Sequence, residues 1–328
     1  MILDIARHKL YEALLTLVLL ALATVISAVA TLDVATVAEV NSAPLGAIVH
    51  SFEVAHPIIA AVVSFVFIVY LAFIATRSTV RTHIFGANSF AAMTLVPLAI
   101  MGLASEEDML TMALLAWLAV EALRRLFFSF GSEERLHAIF SALLAIGAMP
   151  LLDSSMFVAV LALPMFLVAL RAGIREMIIG LVGMLLPIFT YAYVVWCMGG
   201  SFVDSLIEPY HNMLAPSGLT LEGYFVMPRL VLMATLLIAA IVSVVIYLRN
   251  RLALTLVARH VWRFTTTTTV LLAAALVLLP SVTSASFVVI GVVMSMLVPM
   301  FFLRVNTLIA IALYILMICS SVAAMILP

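Results

Sequence analysis

Carboxylates and histidines gather in two stretches of this chain. Asp33, Glu39, His50, Glu53 and His56 form one set; Asp204, Glu208, His211 and Glu222 form the other. A carboxylate held beside an apolar stripe could act as a general base, or hold a divalent metal next to a lipid-linked substrate. The residues singled out for catalysis are Asp33, Glu53, His56, Glu208 and His211. The same groups could simply face water, and no spacing among them matches a known ligand pattern, so the identity of any metal stays open.

Other polar groups have structural explanations of their own. Glu121 precedes Arg124 and Arg125 by one turn, which predicts an i, i+3 and i, i+4 ion pair in place of a lone intramembrane charge. Arg249, Arg251, Arg259 and Arg263, with His260, span fifteen residues and could contact anionic lipid or a partner, for instance on a surface helix. Gly180 and Gly183 with Pro187 point to close helix packing, or to a helix break lining a path. Cys197 and Cys319 lie in apolar runs and read as buried, inert thiols. No P-loop, H-E-x-x-H, G-x-S-x-G or C-x-x-C is present, and no cofactor is expected.

The elements that must carry these groups follow from composition. Hydrophobic residues make up 66% of the 328 and charged residues only 9%, with a mean hydropathy of +1.33. Water cannot be the solvent for that much apolar surface. The long unbroken apolar runs exclude an alternating β-barrel pattern and leave helices as the way to satisfy the backbone in hydrocarbon. The expected fold is an all-α polytopic transmembrane bundle, one domain over 1–328, of about eleven helices. These fall at 10–31, 57–76, 88–104, 109–130, 136–151, 155–170, 177–198, 230–248, 266–279, 286–303 and 306–327. Arg7, Lys9 and Ala28-Val29-Ala30 imitate a signal peptide, but the apolar run is long enough to stay as a first helix.

Charge distribution orients the bundle. With the N-terminus inside and the C-terminus outside, fourteen of the 15 Lys and Arg residues fall in cytoplasmic gaps and only Arg229 outside. Most acids fall outside, Asp108 and Asp153 among them. Two outer segments, 32–56 and 199–229, exceed turn length. Leu45, Ile48, Val49 and Phe52 make an apolar stripe in the first, with His50, Ser51 and Glu53 off it. Phe202, Val203, Leu206, Ile207, Tyr210, Met213 and Leu214 do so in the second, which Pro209 should bend or break. Both read as amphipathic helices lying on the outer leaflet.

The stretch Arg81-Thr82-His83-Ile84-Phe85-Gly86-Ala87-Asn88-Ser89-Phe90, and Arg175-Glu176 followed by Gly183 and Pro187, resemble a family of uncharacterised multi-spanning inner-membrane proteins of Bacteroidetes. That resemblance implies a membrane bundle and assigns no chemistry. Asp33 just after the first helix, the Leu45–Phe52 stripe, and His56-Pro57 opening a helix are similar to membrane glycosyltransferases that use polyprenyl-linked sugars. That similarity implies an enzyme acting at the outer face on a lipid carrier. Taken together, the residues point to an integral protein of a bacterial cytoplasmic membrane, a component of a cell-envelope assembly. A glycosyltransferase-like enzyme and a transporter are the alternatives. The expected partners are the lipid bilayer, other membrane or envelope proteins and a lipid-linked substrate, with no nucleic acid.

Overall fold

A computed structural model describes residues 13–18, 20, 23, 43–81, 84–85, 89–104, 108–129, 135–161, 172–214, 224–278 and 282–326. Most of those residues are helical, with no strand among them. In chain order the helices are α1 (Pro44–Ala55), α2 (Pro57–Arg81), α3 (Ala92–Leu103), α4 (Met109–Ser129) and α5 (Arg135–Leu152). A 3-10 turn (Ser154–Met156) leads to α6 (Phe157–Leu161), then α7 (Ile174–Cys197), α8 (Phe202–Leu214) and α9 (Met227–Asn250). The last four are α10 (Leu256–Leu278), α11 (Ser284–Ser295), α12 (Pro299–Arg304) and α13 (Thr307–Ile326). Residues 13–18 are helical as well, but most of the expected first helix, with Lys9 and Asp33, and most of the expected 155–170 helix lie outside the described residues.

Six segments are long and apolar enough to cross a membrane: Pro57–Arg81, Arg135–Leu152, Ile174–Cys197, Met227–Ala253, Ser284–Arg304 and Thr307–Met325. They imply a lipid bilayer around a multi-pass chain. Burial separates them into two kinds. Ser284–Arg304 is 94% buried within the protein, whereas Ile174–Cys197 is only 28% buried. The exposed side of α7 is nonetheless apolar, with Ile178, Leu181, Val182 and Phe189 on it. A surface of that composition suits hydrocarbon and not water. Cys197 and Cys319 belong to such faces: both are free and exposed, where burial was expected. Apolar sequence context marks the protein interior only when water is the outer solvent.

α3 and α11 form the centre and are buried along their whole length. Neither carries a charged residue, so either could turn any side inward. The Ser321 hydroxyl on α13 donates to the Leu98 carbonyl of α3 at 3.1 Å. The expected continuous helix at 286–303 is instead divided: α11 ends at Ser295 and α12 restarts at Pro299. Part of the amide deficit at this restart is met from α9, where the Ser243 hydroxyl accepts from the Phe301 N–H at 3.1 Å. Elsewhere α7 runs unbroken through Pro187. A Cβ on Gly147 of α5 would stand 1.9 Å from the Met184 carbonyl oxygen, and one on Gly183 would stand 2.7 Å from that of Phe140. The glycines let the α5 and α7 backbones touch, which is the packing reading of this motif.

Helix direction sorts the charges between two ends. At the end bearing α1 and α8 lie the close of α3, the start of α4, the close of α5 and the start of α11. This end carries Glu53, Asp108, Asp153, Asp204, Glu208 and Arg229. The opposite end carries the other described arginines. There Arg124 and Arg125 both bind Glu121, and Arg125 also reaches the Ser141 hydroxyl at 3.0 Å. Arg135 pairs with Glu176 at 3.2 Å. The arginines of 249–263 ride on no separate surface helix. Met227–Asn250 continues through a 3-10 turn (Arg251–Ala253), and α10 begins at Leu256, earlier than the expected start at 266. Arg249, Arg251 and Arg263 are exposed there, and Arg259 is half-buried.

Candidate functional site

α1 starts at a proline, Pro44, whose missing N–H is no loss in a first turn. Its apolar side chains look away from the protein: Ile48 is 64% exposed and Val54 68%. The side turned inward carries Ala43, Gly46, His50 and Glu53 at helical spacing. Glu53 is only 8% exposed. This inverts the arrangement of a water-soluble amphipathic helix and suits a helix lying along a lipid surface.

Glu53 meets the start of α4. Its Oε1 accepts from the Leu110 N–H, one of the first-turn amides that no intrahelical carbonyl can reach. The carboxyl therefore caps a helix distant in sequence. Burial pushes its pKa up to about 8; the Leu110 N–H opposes that shift and the nearby Asp108 carboxylate adds to it. The Thr111 hydroxyl is close enough to oppose it too, though its geometry completes no hydrogen bond, and Glu53 Oε2 is likewise buried without one.

His50 lies one turn before Glu53 on the same face, with its Nδ1 2.9 Å from Asp108 Oδ1. Which atom carries the shared proton depends on the imidazole tautomer. His50, Glu53 and Asp108 each bring a ligand-type atom to within 4.8 Å of the others. Next to them Asp153 is wholly buried, and desolvation holds its pKa above the usual aspartate range despite two hydrogen bonds from Ser155. The Ser155 hydroxyl also lies 3.0 Å from that of Thr283 and 3.1 Å from that of Ser286, tying the close of α5 to the start of α11. The site is thus backed by the start of α4, the close of α5 and the start of α11.

α8 occupies the same end and differs. It continues through Pro209 without a break, contrary to the expectation for that residue. Proline removes one backbone donor but fits where neighbouring elements support the helix, and α8 packs on α7 and the 3-10 turn. Val203, Ile207 and Leu214 are exposed, as on α1. Glu208 accepts one long hydrogen bond, 3.4 Å from the Tyr191 hydroxyl. His211 is exposed and its ring meets Tyr210 edge-on; His56 is exposed and meets Phe52 in the same way.

Of the four residues singled out in sequence that are among the described residues, Glu53 alone enters the buried cluster. Among the described residues no hydrogen bond or ion pair joins it to His56, Glu208 or His211, and Asp33, Glu106, Glu107 and Glu222 lie outside the described residues. The site's other members, His50 and Asp108, were recognisable only as part of the outer polar set. The i, i+3 spacing of His50 and Glu53 off the apolar stripe was a usable local signal; Asp108 had none.

The interior offers a contrast. A cavity of about 40 Å³ between α4, α5, α10 and α11 is lined by residues such as Ala119, Leu123, Met149, Phe264 and Val293. Thr268 also lines it, but its hydroxyl is donated to its own helix at Phe264. The cavity has room for water and offers it no polar partner.

No family model, curated protein or solved structure matches this chain.

Proposed function

We propose that this chain is an integral protein of a bacterial cytoplasmic membrane that serves a cell-envelope assembly from its outer face. One observation carries the reading: among the described residues the cluster of ligand-type side chains lies at the α1/α8 end, while the cavity between α4, α5, α10 and α11 is apolar. The arginine-rich end faces the cytoplasm on this reading, by the positive-inside bias. The apolar lining of the cavity found among the described residues weighs against transport, which needs a polar site near mid-membrane; α7 is unbroken, but the central span is divided between α11 and α12, the kind of interruption transporters use.

Orientation is tested by impermeant thiol labelling of whole cells in a background with Cys197 and Cys319 replaced. Ser51→Cys should label from outside and Arg251→Cys only after lysis. The reverse pattern overturns the outer-face reading. The assembly is tested by site-specific photocrosslinking in cells from Val203 and Ile207 on α8. A discrete protein adduct is expected; lipid adducts alone, with a monomer in mild detergent, overturn it.

The second reading is a glycosyltransferase-like enzyme acting on a lipid-linked substrate. What favours it is the position of Glu53 on a helix whose opposite side is apolar and exposed, so that a lipid carrier and a carboxyl would meet at one depth. It expects Glu53→Gln to abolish transfer from a polyprenyl-phosphate sugar in reconstituted vesicles. Unchanged transfer in that variant, or none in the parent protein, rules it out.

A further inference from the structure

We propose that His50, Glu53 and Asp108 form a binding site for a first-row divalent cation, with Zn²⁺ as its natural probe. The inference does not depend on the assembly reading above; it rests on the geometry of three side chains.

The donors come from two elements. His50 and Glu53 share one face of α1 at i, i+3, a spacing by which helices in metalloproteins present a carboxylate and an imidazole to one ion. Asp108 stands at the start of α4, against that face. The three ligand atoms lie within 4.8 Å of one another, and His50 Nδ1 lies 2.9 Å from Asp108 Oδ1. Two ligands about 2.0–2.2 Å from one ion at the tetrahedral angle are about 3.3–3.6 Å apart, so the closest pair must open by a few tenths of an ångström and the widest close by up to about 1 Å to complete the site.

The independent observation is Glu53 Oε2. Glu53 is more than nine-tenths buried; one oxygen caps α4 and the other completes no hydrogen bond. A buried carboxyl oxygen without a hydrogen bond is costly whether or not the group is ionised, and a bound cation would satisfy it and favour the ionised form. Among the described residues no Lys or Arg forms an ion pair with Glu53.

An imidazole beside two carboxylates favours a borderline cation over Ca²⁺ or Mg²⁺, which prefer six or more oxygen ligands. Three protein ligands also leave a coordination position for water or a substrate oxygen.

The full-length protein in nanodiscs, stripped with chelator and titrated with zinc chloride, should take up one Zn²⁺ per chain by calorimetry and elemental analysis. His50→Ala and Asp108→Asn should each weaken binding by at least ~10-fold, the usual scale for disturbing a metal's supporting groups. Neither removes the Glu53 cap, and the melting temperature of each metal-free variant checks its fold. Glu208→Gln, on α8, should bind as the parent does. Zn²⁺ should also raise the melting temperature of the parent and not that of His50→Ala. No stoichiometric uptake, equal affinity in both ligand variants, or Ca²⁺ binding as tightly as Zn²⁺ overturns the site.

Discussion

α1 and α8 start from the same pattern and end differently. Each is a short amphipathic helix at the same end of the bundle, and each turns apolar side chains away from the protein. On α1 the polar side is pressed against the start of α4, and Glu53 is sealed in. On α8 the polar side stays open, with Asp204 and His211 exposed and Glu208 half-buried against Tyr191. Amphipathicity places a helix at the surface; the element beneath it decides whether its polar residues become a site. α1 lies over helix termini with unfilled backbone donors, whereas α8 lies over the side of α7 and a short turn.

The largest effect should come from undercutting α8. Gly147→Leu places side-chain carbon where the Met184 backbone already stands and separates α7 from α5. Overpacking at backbone contact should lower stability by about 3 kcal/mol or more, read as unfolding in mild denaturant. Zn²⁺ uptake at α1 should survive under conditions where this variant remains folded; its loss would mean that the two helices share one support.

Next is Glu53→Ala, which leaves the Leu110 amide without its partner and should destabilise by about 1–3 kcal/mol in the same assay. Glu208→Ala, in contrast, should stay within about 0.5 kcal/mol of the parent. Equal effects would erase the distinction between the helices.

The pH dependence sharpens it. In metal-free protein Glu53 keeps its proton to about pH 8, whereas in the unfolded chain it ionises near 4.5. The folded state therefore binds the extra proton between these values, so this contribution is full below pH 4.5 and is lost as pH rises to 8. Glu53→Gln should flatten that slope in thermal melts with His50, Asp108 and Asp153 intact, and Glu208→Gln should leave it unchanged. The smallest effect belongs to Tyr191→Phe: with only a 3.4 Å hydrogen bond to lose, it should shift stability by less than about 0.5 kcal/mol. An environment-sensitive probe at Ile48→Cys and at Ile207→Cys should report apolar surroundings at both positions in nanodiscs; a wet signal at either breaks the shared premise.

Much of this was legible beforehand for a physical reason. Lipid solvent imposes long apolar runs, and helices follow because no other open structure satisfies the backbone there. The α1 and α8 stripes were legible by period alone, and the Glu121 pair by its i, i+3 and i, i+4 spacing. Burial was not legible, since lipid-facing and core-facing side chains are chemically alike; Cys197 and Cys319 were misplaced for that reason. Nor was the division at Pro299, or the passage of α8 through Pro209, because both depend on neighbours that satisfy or tolerate the missing bonds.

By itself the sequence determined the solvent, the helical class and the segregation of charge. Tertiary structure alone decided that Glu53 would meet His50 and Asp108 in place of His56, Glu208 or His211. His50 and Glu53 are neighbours by helical period, but Asp108 and the Leu110 amide arrive from more than fifty residues away. Such a meeting is set by how α4 packs against α1, and no local pattern of residue types encodes that distance.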